Sequence, residues 1–592
     1  MGSRFVRRHR ALIAVALLLC PVARVARAGG IEYTGQGVQS LARGGAVAAR
    51  ASDPMVLAHN PAGLAELRGT QLLVDFNLAR MKACVDPYGY YGWGAYLGGR
   101  PSRLPDPSDD AQHLLIPLSV IDNSGPTPTT AANDYYTDPY DTVCLGQNMT
   151  PIPQLAFTKR VTENLGIGVG LIFPSAQPTG AWGAPGTGVI RGDTGELRPA
   201  PTRYQLLSAS NLGLFPNVGL GYRVARQLRV GASLEYGFVY VNNHTMAPAT
   251  GGTSPHNDVV AHIRGTDYVV PAFTVSAHVV PIDALDVVLA FRWQDDVEAH
   301  GRADFTSGVF DPDSLPHTTR GVGVPLIRQR MPWKLRGGIR FADRRVPRAR
   351  GTGNGDDLDG HRAVHDAMQD ERWDIELDAE YQFNSRNDAQ LIDFTDGSRV
   401  QFRAASPGHA MTDFELPSRV TIQKQWRDQI SVRLGGSANL VPGILSVSAG
   451  AHYETRGVTP AYMQVDFWPV ARVGLHGGVT LRVTNSVDFT LAYAHIFQET
   501  MIVAPPAHRE RTEIEVNAAQ ASAIDKTVGA PTDRFGAGLH VLHEPAVAHP
   551  DGVARLTQTS ATVAPDQPNY ITNAGRYRSS IDVLAVGMNL HF

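Results

Sequence analysis

From Thr70 onward the chain is written in a period of two. In TQLLVDFNLA, Leu72, Val74, Phe76 and Leu78 point one way, and Gln71, Asp75 and Asn77 the other. Leu165, Ile167, Val169 and Leu171 alternate with Gly166, Gly168 and Gly170. Leu228, Val230, Leu234, Tyr236 and Phe238 alternate with Arg229, Ser233 and Glu235, and Trp373, Ile375, Leu377 and Tyr381 with Asp374, Glu376, Asp378 and Glu380. This alternation predicts strands with one apolar and one polar face. A soluble sandwich alternates too, but its apolar face needs a partner sheet. Segments of roughly ten to fourteen residues suit strands crossing a bilayer at a tilt, apolar side to lipid and polar side to a lumen. Aromatics at segment ends, among them Tyr222, Trp293, Trp333, Phe341, Trp373 and Phe383, then form two interfacial girdles.

Fourteen strands are predicted, near 70–81, 152–160, 165–173, 212–224, 228–241, 267–280, 285–297, 329–342, 372–384, 416–440, 444–456, 470–484, 486–498 and 580–592. The expected fold class is all-β, a 14-stranded antiparallel transmembrane barrel. Such a barrel alternates short periplasmic turns with long outer loops. The links after the second, fourth, sixth, tenth and twelfth strands are tight, and those after odd-numbered strands are long. Residues 343–371 break the rule, being long and charged where a short turn belongs, and the tenth segment exceeds what one crossing needs. The chain ends on Leu584, Val586, Met588, Leu590 and Phe592 at every second position. That pattern resembles the C-terminal signal read by the assembly machinery of bacterial outer-membrane barrels.

The chain before Thr70 is of another kind. A basic lead, MGSRFVRRHR, precedes the apolar run Ala11–Leu19 and the small-x-small site Ala26-Arg27-Ala28. Residues 1–28 are expected to be a secretory signal peptide, too short to span a membrane as a helix. Cys20 raises lipidation, but Leu19 stands where a small residue is wanted. Residues 29–69 are rich in glycine and alanine and poorly periodic, and they read as a plug inside the barrel made by 70–592. Taken alone, Asn60-Pro61-Ala62 is an ordinary helix start, with Asn60 as N-cap and Pro61 in the first turn. With the lead ARGGAVAA and the following SDP, it resembles the N-terminal hatch of the long-chain fatty acid transporter family (FadL/TodX type). WDIELDAEYQF, WRDQISVRLGG, SAGAHYE and VDFTLAYAH follow in that family's order. The resemblance implies passive uptake across the outer membrane. A hydrophobic ligand would be captured by apolar side chains at outer loops and released sideways into membrane lipid, through a gap near strand three.

Composition narrows the alternatives. Charged residues are 18% of the chain, glycines number 59, and the net charge is −3. No basic cluster with interleaved aromatics is present, so nucleic acid is not an expected partner. Cys84 and Cys144 read as a disulfide closing one long loop, with two free thiols as the alternative. Gly166, Gly168 and Gly170 mark either a kink that opens the wall or room for the plug. The acids of strand nine face Lys334, Arg336 and Arg340 of strand eight, which predicts a cross-strand ladder opposing straight passage of a greasy solute. His361 and His365 have helical ligand spacing, but Gly355 stands where a calcium loop starting before Asp357 and Asp359 needs a carboxylate. An exposed charged insertion is expected there, with no metal and no cofactor. Val322, Val324, Leu326 and Ile327 are the candidate ligand groove, and the loop DPYGYYGWGAYLGG could gather ligand or fold over the mouth. No G-x-S-x-G nucleophile motif is found, and the chain is not expected to be an enzyme. A lipid-acting outer-membrane enzyme and an adhesive barrel working through loops 82–151 and 499–579 remain the alternatives.

Overall fold

The computed structural model describes residues 36–87, 140–146, 149–172, 180–192, 197–248, 258–309, 316–346, 366–403, 411–503, 573 and 575–592, with short stretches at 546–548 and 554–556. The signal-peptide region, His361, His365, Asp357, Asp359 and most of the DPYGYYGWGAYLGG loop lie outside them.

Fourteen antiparallel strands close into a barrel. They are β1 (Thr70–Pro87), β2 (Met149–Arg160), β3 (Leu165–Ile172), β4 (Leu212–Ala225), β5 (Leu228–Pro248), β6 (Asp258–Ile282) and β7 (Leu285–Gln294). The second half comprises β8 (Lys334–Arg344), β9 (Glu371–Gln382), β10 (Gln429–Val441), β11 (Leu445–Glu454), β12 (Arg472–Thr484), β13 (Val487–Gln498) and β14 (Gly575–His591). Each pairs with the next in the chain, and β14 returns to β1, from Gln71 opposite His591 to Pro87 opposite Gly575. The alternation follows the wall. Val74, Phe76, Leu234, Leu434 and Leu491 stand exposed on the outside, where hydrocarbon would cover them. Their neighbours Asp75, Asn77, Glu235, Arg433 and Thr490 are buried inside. Aromatic pairs mark both rims. Phe341 and Trp373 lie 5.7 Å apart at the end with the tight links, and Phe273 and Trp293 lie 5.4 Å apart at the other.

The tenth strand is shorter than its sequence pattern. β10 begins at Gln429, whereas Arg419–Gln423 leaves the barrel and pairs with Ala389–Asp393. Those two strands continue a sheet that rises from the outer half of β6 through Val297–Ser307 and His317–Gln329. The break falls near Gln425, whose φ of 43° turns the chain through the left-handed region. Alternation runs on through that turn, so one apparent crossing is two strands with different partners.

Residues 36–69 sit against the inner face of the wall as two short helices, α1 (Val38–Ala42) and α2 (Val56–His59), and a 3₁₀ helix over Pro61–Glu66. Val38, Leu41 and Ala42 of α1 pack on Ala79, Ala492, Ala494, Val583 and Ala585. The long link between β8 and β9 returns as Ala367–Asp370, with the Asp366 carboxylate capping Met368. Asp366 also pairs with Arg68 and Arg482, 2.7 Å from each, which ties the end of the inner segment to β12.

Candidate functional site

The lumen is divided into a charged layer that holds the inner segment and an apolar layer above it. In the charged layer, β9 carries the acids predicted to point inward, and all four are buried. Arg336 and Arg433 pair with Glu380, and Arg340 donates Nε to Asp374 at 2.9 Å. The expected ladder is therefore present, but it is not the whole account. Arg43 of the inner segment also grips Asp374, Nη1 to Oδ1 at 3.0 Å and Nη2 to Oδ2 at 2.7 Å, and Arg50 adds a contact at 2.7 Å. Glu376 accepts from the backbone N–H of Ala49 at 2.6 Å, and Asp378 from those of Val47 and Ala48 at 3.0 Å. Carboxylates that accept backbone N–H groups hold a segment in place without needing a particular side chain on it. Sequence reasoning missed Arg43 and Arg50. The signal available was two arginines inside a stretch otherwise built of small residues.

Asn60-Pro61-Ala62 is a second fastening point. Asn60 does not cap the helix through its side chain. Its Nδ2 instead donates to the Ala48 carbonyl at 2.9 Å and lies 3.4 Å from His278 Nδ1. The Ala62 N–H donates to Ser276 Oγ at 2.8 Å. Pro61 and Ala62 press so closely on β5 that a Cβ at Gly231 would stand 2.2 Å from the Ala62 nitrogen. His278 in turn lies 3.1 Å from Asp286, which accepts from Arg340 at 3.2 Å. One network thus runs from Asn60 through β6, β7, β8 and β9 back to Arg43.

Gly166, Gly168 and Gly170 also face the inner segment. A Cβ at Gly166 would meet the Leu64 carbonyl oxygen at 2.0 Å, and one at Gly170 would meet Leu57 at 3.0 Å. Here β3 is paired on both sides, with β2 through Leu171 and with β4 through Ile172. The strand is paired on both sides at these glycines, and the inner segment lies directly against them.

The apolar layer fills the mouth. Trp182 stacks on Trp468 with centroids 5.9 Å apart, and Trp468 meets Tyr577 edge-on at 5.6 Å. Phe215, Ile263, Phe305 and Met463 complete the cluster. Val322, Val324 and Ile327 belong to it as buried members, while Leu326 is only half-buried and stands opposite Asp393. Among the described residues the side chains of Val322, Val324 and Ile327 pack within that apolar cluster. Cys84 and Cys144 face each other across β1 and Val143–Cys144, with their sulfurs bonded. Phe592 lies at the opposite rim, where its N–H donates to the Thr70 carbonyl at 2.9 Å and its ring is exposed.

Within the charged layer lies a small cavity of ≈ 60 Å³, walled by Gln36, His59, Ile172, Glu235, Arg292, Lys334, Glu380 and Arg433 among others. His59 Nε2 lies 2.9 Å from the Gln36 carbonyl, and Nδ1 lies 3.2 Å from Arg336 Nη1. Burial first, then the Arg336 charge, push this imidazole down to about 3, so it is neutral, donates to Gln36 and accepts from Arg336.

The sequence matches no protein-family model and no curated protein. Solved structures match the fold. A FadL homologue of Pseudomonas aeruginosa is similar with a TM-score of 0.57 at 12% identity, over 95% of this chain and 100% of that one. The toluene transporter TodX of P. putida is similar with a TM-score of 0.50 at 12% identity, over 95% of this chain and 99% of that one. This chain has the fold of those two proteins.

Proposed function

We propose that this protein is a passive channel of the bacterial outer membrane for hydrophobic small molecules, long-chain fatty acids or hydrocarbons, with residues 36–69 as its hatch. The observation that carries the reading is the order of the layers: an apolar mouth above a charged floor locked to the inner segment, with a small cavity in that floor reaching Ile172 at the end of β3. A hydrophobic solute moving straight down would have to part buried ion pairs, and breaking one by removing a partner costs ~3–5 kcal/mol. Leaving sideways into hydrocarbon avoids that cost.

The sideways exit is assigned to the wall beside Ile172, not to Gly166, Gly168 and Gly170. The β2–β3 ladder ends at Leu155 opposite Leu171, and among the described residues Met149–Gln154 pairs only with β1. Pro151 and Pro153 lie in that stretch, and neither can donate to a ladder. The ladder to β1 runs past both prolines, so their missing donors fall on the edge toward the third strand. Fatty acids and aromatic hydrocarbons ask the same of such a path, namely apolar walls. The relatives by fold are a FadL homologue and a toluene transporter, which favours this ligand class. Phe592, exposed at the seam where β14 meets β1, serves as the signal for the barrel assembly machinery.

The test is uptake in cells lacking their own transporter, with a labelled long-chain fatty acid, labelled toluene and a small sugar as probes. Entry of either hydrophobic probe without the sugar supports the reading. Entry of neither, with the barrel correctly inserted, overturns it in favour of an enzymatic or adhesive role for the outer loops.

A further inference from the structure

The outside of the barrel is not uniform around its circumference. On β1 the outward side chains run Leu72, Val74, Phe76 and Leu78, and then change to Arg80 and Lys82. On β14 they run Leu590, Met588, Val586 and Leu584 from the same rim, and then Asp582, Ser580, Arg578 and Arg576. The register aligns the two changes, with Leu78 opposite Leu584 and Arg80 opposite Asp582. On β5 and β6, by contrast, Tyr236, Tyr268 and Val269 are exposed outward positions. The cationic column belongs to the β14–β1 seam.

Its charges are only partly answered. Asp582 pairs with Lys82 at 3.2 Å and also accepts from Tyr493 at 2.8 Å, with His495 Nδ1 2.7 Å away. Asp86 pairs with Arg578 at 2.8 Å. Arg80 and Arg576 are exposed and stand opposite Asp582 and Asp86 in the ladder, but these acids close their ion pairs with Lys82 and Arg578 instead. The column rises directly from the apolar band, on the side of the barrel that the long links identify as outer. A ligand that meets both parts carries acyl chains for Leu78 and Leu584 and an anionic head for the cations above them.

We propose that the β14–β1 seam binds a bisphosphorylated glycolipid of the outer leaflet, one phosphate held by Arg80 and Lys82 and the other by Arg578 and Arg576, which stand level with residues 84 and 86. Charge complementarity and the shared boundary with the apolar band select this occupant. The site requires only that the barrel sit in the outer membrane, and it is independent of what the lumen carries.

Native mass spectrometry of the purified full chain tests it, with bisphosphorylated lipid A as the probe and its dephosphorylated form as the control. Retention of the phosphorylated lipid is expected, falling about tenfold or more in the R80Q/K82Q/R576Q/R578Q variant. The dephosphorylated lipid should be held as poorly by the unmodified protein. Should the fourfold variant fail to show the mobility shift of a folded barrel, R80Q/R576Q removes only the two cations outside those ion pairs, and a loss of retention is again expected. Equal retention by the unmodified protein and a folded variant overturns the proposal. Displacement of the lipid by an equal concentration of inorganic phosphate overturns it as well, because the site would then be one for free anions.

Discussion

Arg43 and Asp374 are 331 residues apart in the chain and meet in the lumen through two parallel hydrogen bonds of 3.0 and 2.7 Å. Both side chains are about 1% exposed. Arg50 and Arg340 converge on the same carboxylate, so one acid of β9 joins the inner segment to the wall. Removing that acid leaves three buried cations with less to answer them, at a cost of ~3–5 kcal/mol. Asp374→Ala is therefore expected to free the inner segment while the barrel survives. Planar-bilayer conductance should rise from a closed baseline, with unchanged heat-modifiable migration. Ser437→Ala removes only a neutral partner 2.6 Å from Arg43, which contributes ~1 kcal/mol, and should leak little. An unchanged conductance for Asp374→Ala would show that β9 is not what holds the segment.

Of the two readings open to the glycines of β3, room for the inner segment makes a prediction that also extends to Gly231 of β5. Adding a Cβ at Gly166 or Gly231 brings it to 2.0 or 2.2 Å of the inner segment's backbone, a distance no rotamer change relieves. Gly166→Val and Gly231→Ala should displace the inner segment rather than seal the wall. The measurement is limited proteolysis, which should cut within residues 36–69 while the strands stay protected. Gly186 has nothing within 4 Å of such a Cβ, and Gly186→Ala should stay within ~0.5 kcal/mol of the parent.

The strands were legible because a period of two is a rigid consequence of the pleat. Inward Asp75 and outward Phe76 cannot exchange faces without turning the whole strand over. The same logic failed between Leu416 and Leu440, since alternation persists through the turn at Gln425 and says nothing about which neighbour a strand pairs with. Asn60-Pro61-Ala62 was visible as a motif, but its partners were not. The Ala48 carbonyl lies across the segment, and Ser276 is 214 residues away. The acids of β9 were assigned to β8, and two of the four do pair there. Glu376 and Asp378 take backbone N–H groups of residues 47–49, and no residue type advertises a backbone donor. Val322, Val324 and Ile327 were recognisable as buried and apolar, but composition does not separate the wall of a groove from a packed cover.

Acid should loosen the inner segment through His59. Its imidazole is held down at about 3 in place, against ~6.5 when exposed. The docked state therefore binds fewer protons than the released one across that interval, and docking weakens as pH falls from about 6.5 toward 3. The slope is at most ~1.4 kcal/mol per pH unit for a single proton. Conductance recorded between pH 7 and 4 should rise toward the acid side, and His59→Gln should flatten the profile. A profile identical in the two proteins would remove His59 from the account.

The mouth offers the sharpest separation of packing from transport. Trp468 stacks on Trp182 with planes 13° apart, meets Tyr577 edge-on, and donates Nε1–H to the Val465 carbonyl at 3.1 Å. Trp468→Ala empties the middle of this cluster and should lower the stability of the outer loops by ~3–5 kcal/mol. If the cluster also gathers ligand, the conservative change to Phe is more informative, because it keeps an apolar ring and loses the indole's extent and its hydrogen bond. An aromatic pair contributes ~0.5–1.5 kcal/mol beyond its buried area, so half-saturation of uptake should rise about 2- to 10-fold in Trp468→Phe. The maximal rate should stay the same, since the floor and the wall beside Ile172 are untouched. A change in maximal rate at constant half-saturation would instead make the tryptophan stack a gate that opens with each passage, and the apolar layer a barrier rather than a binding surface.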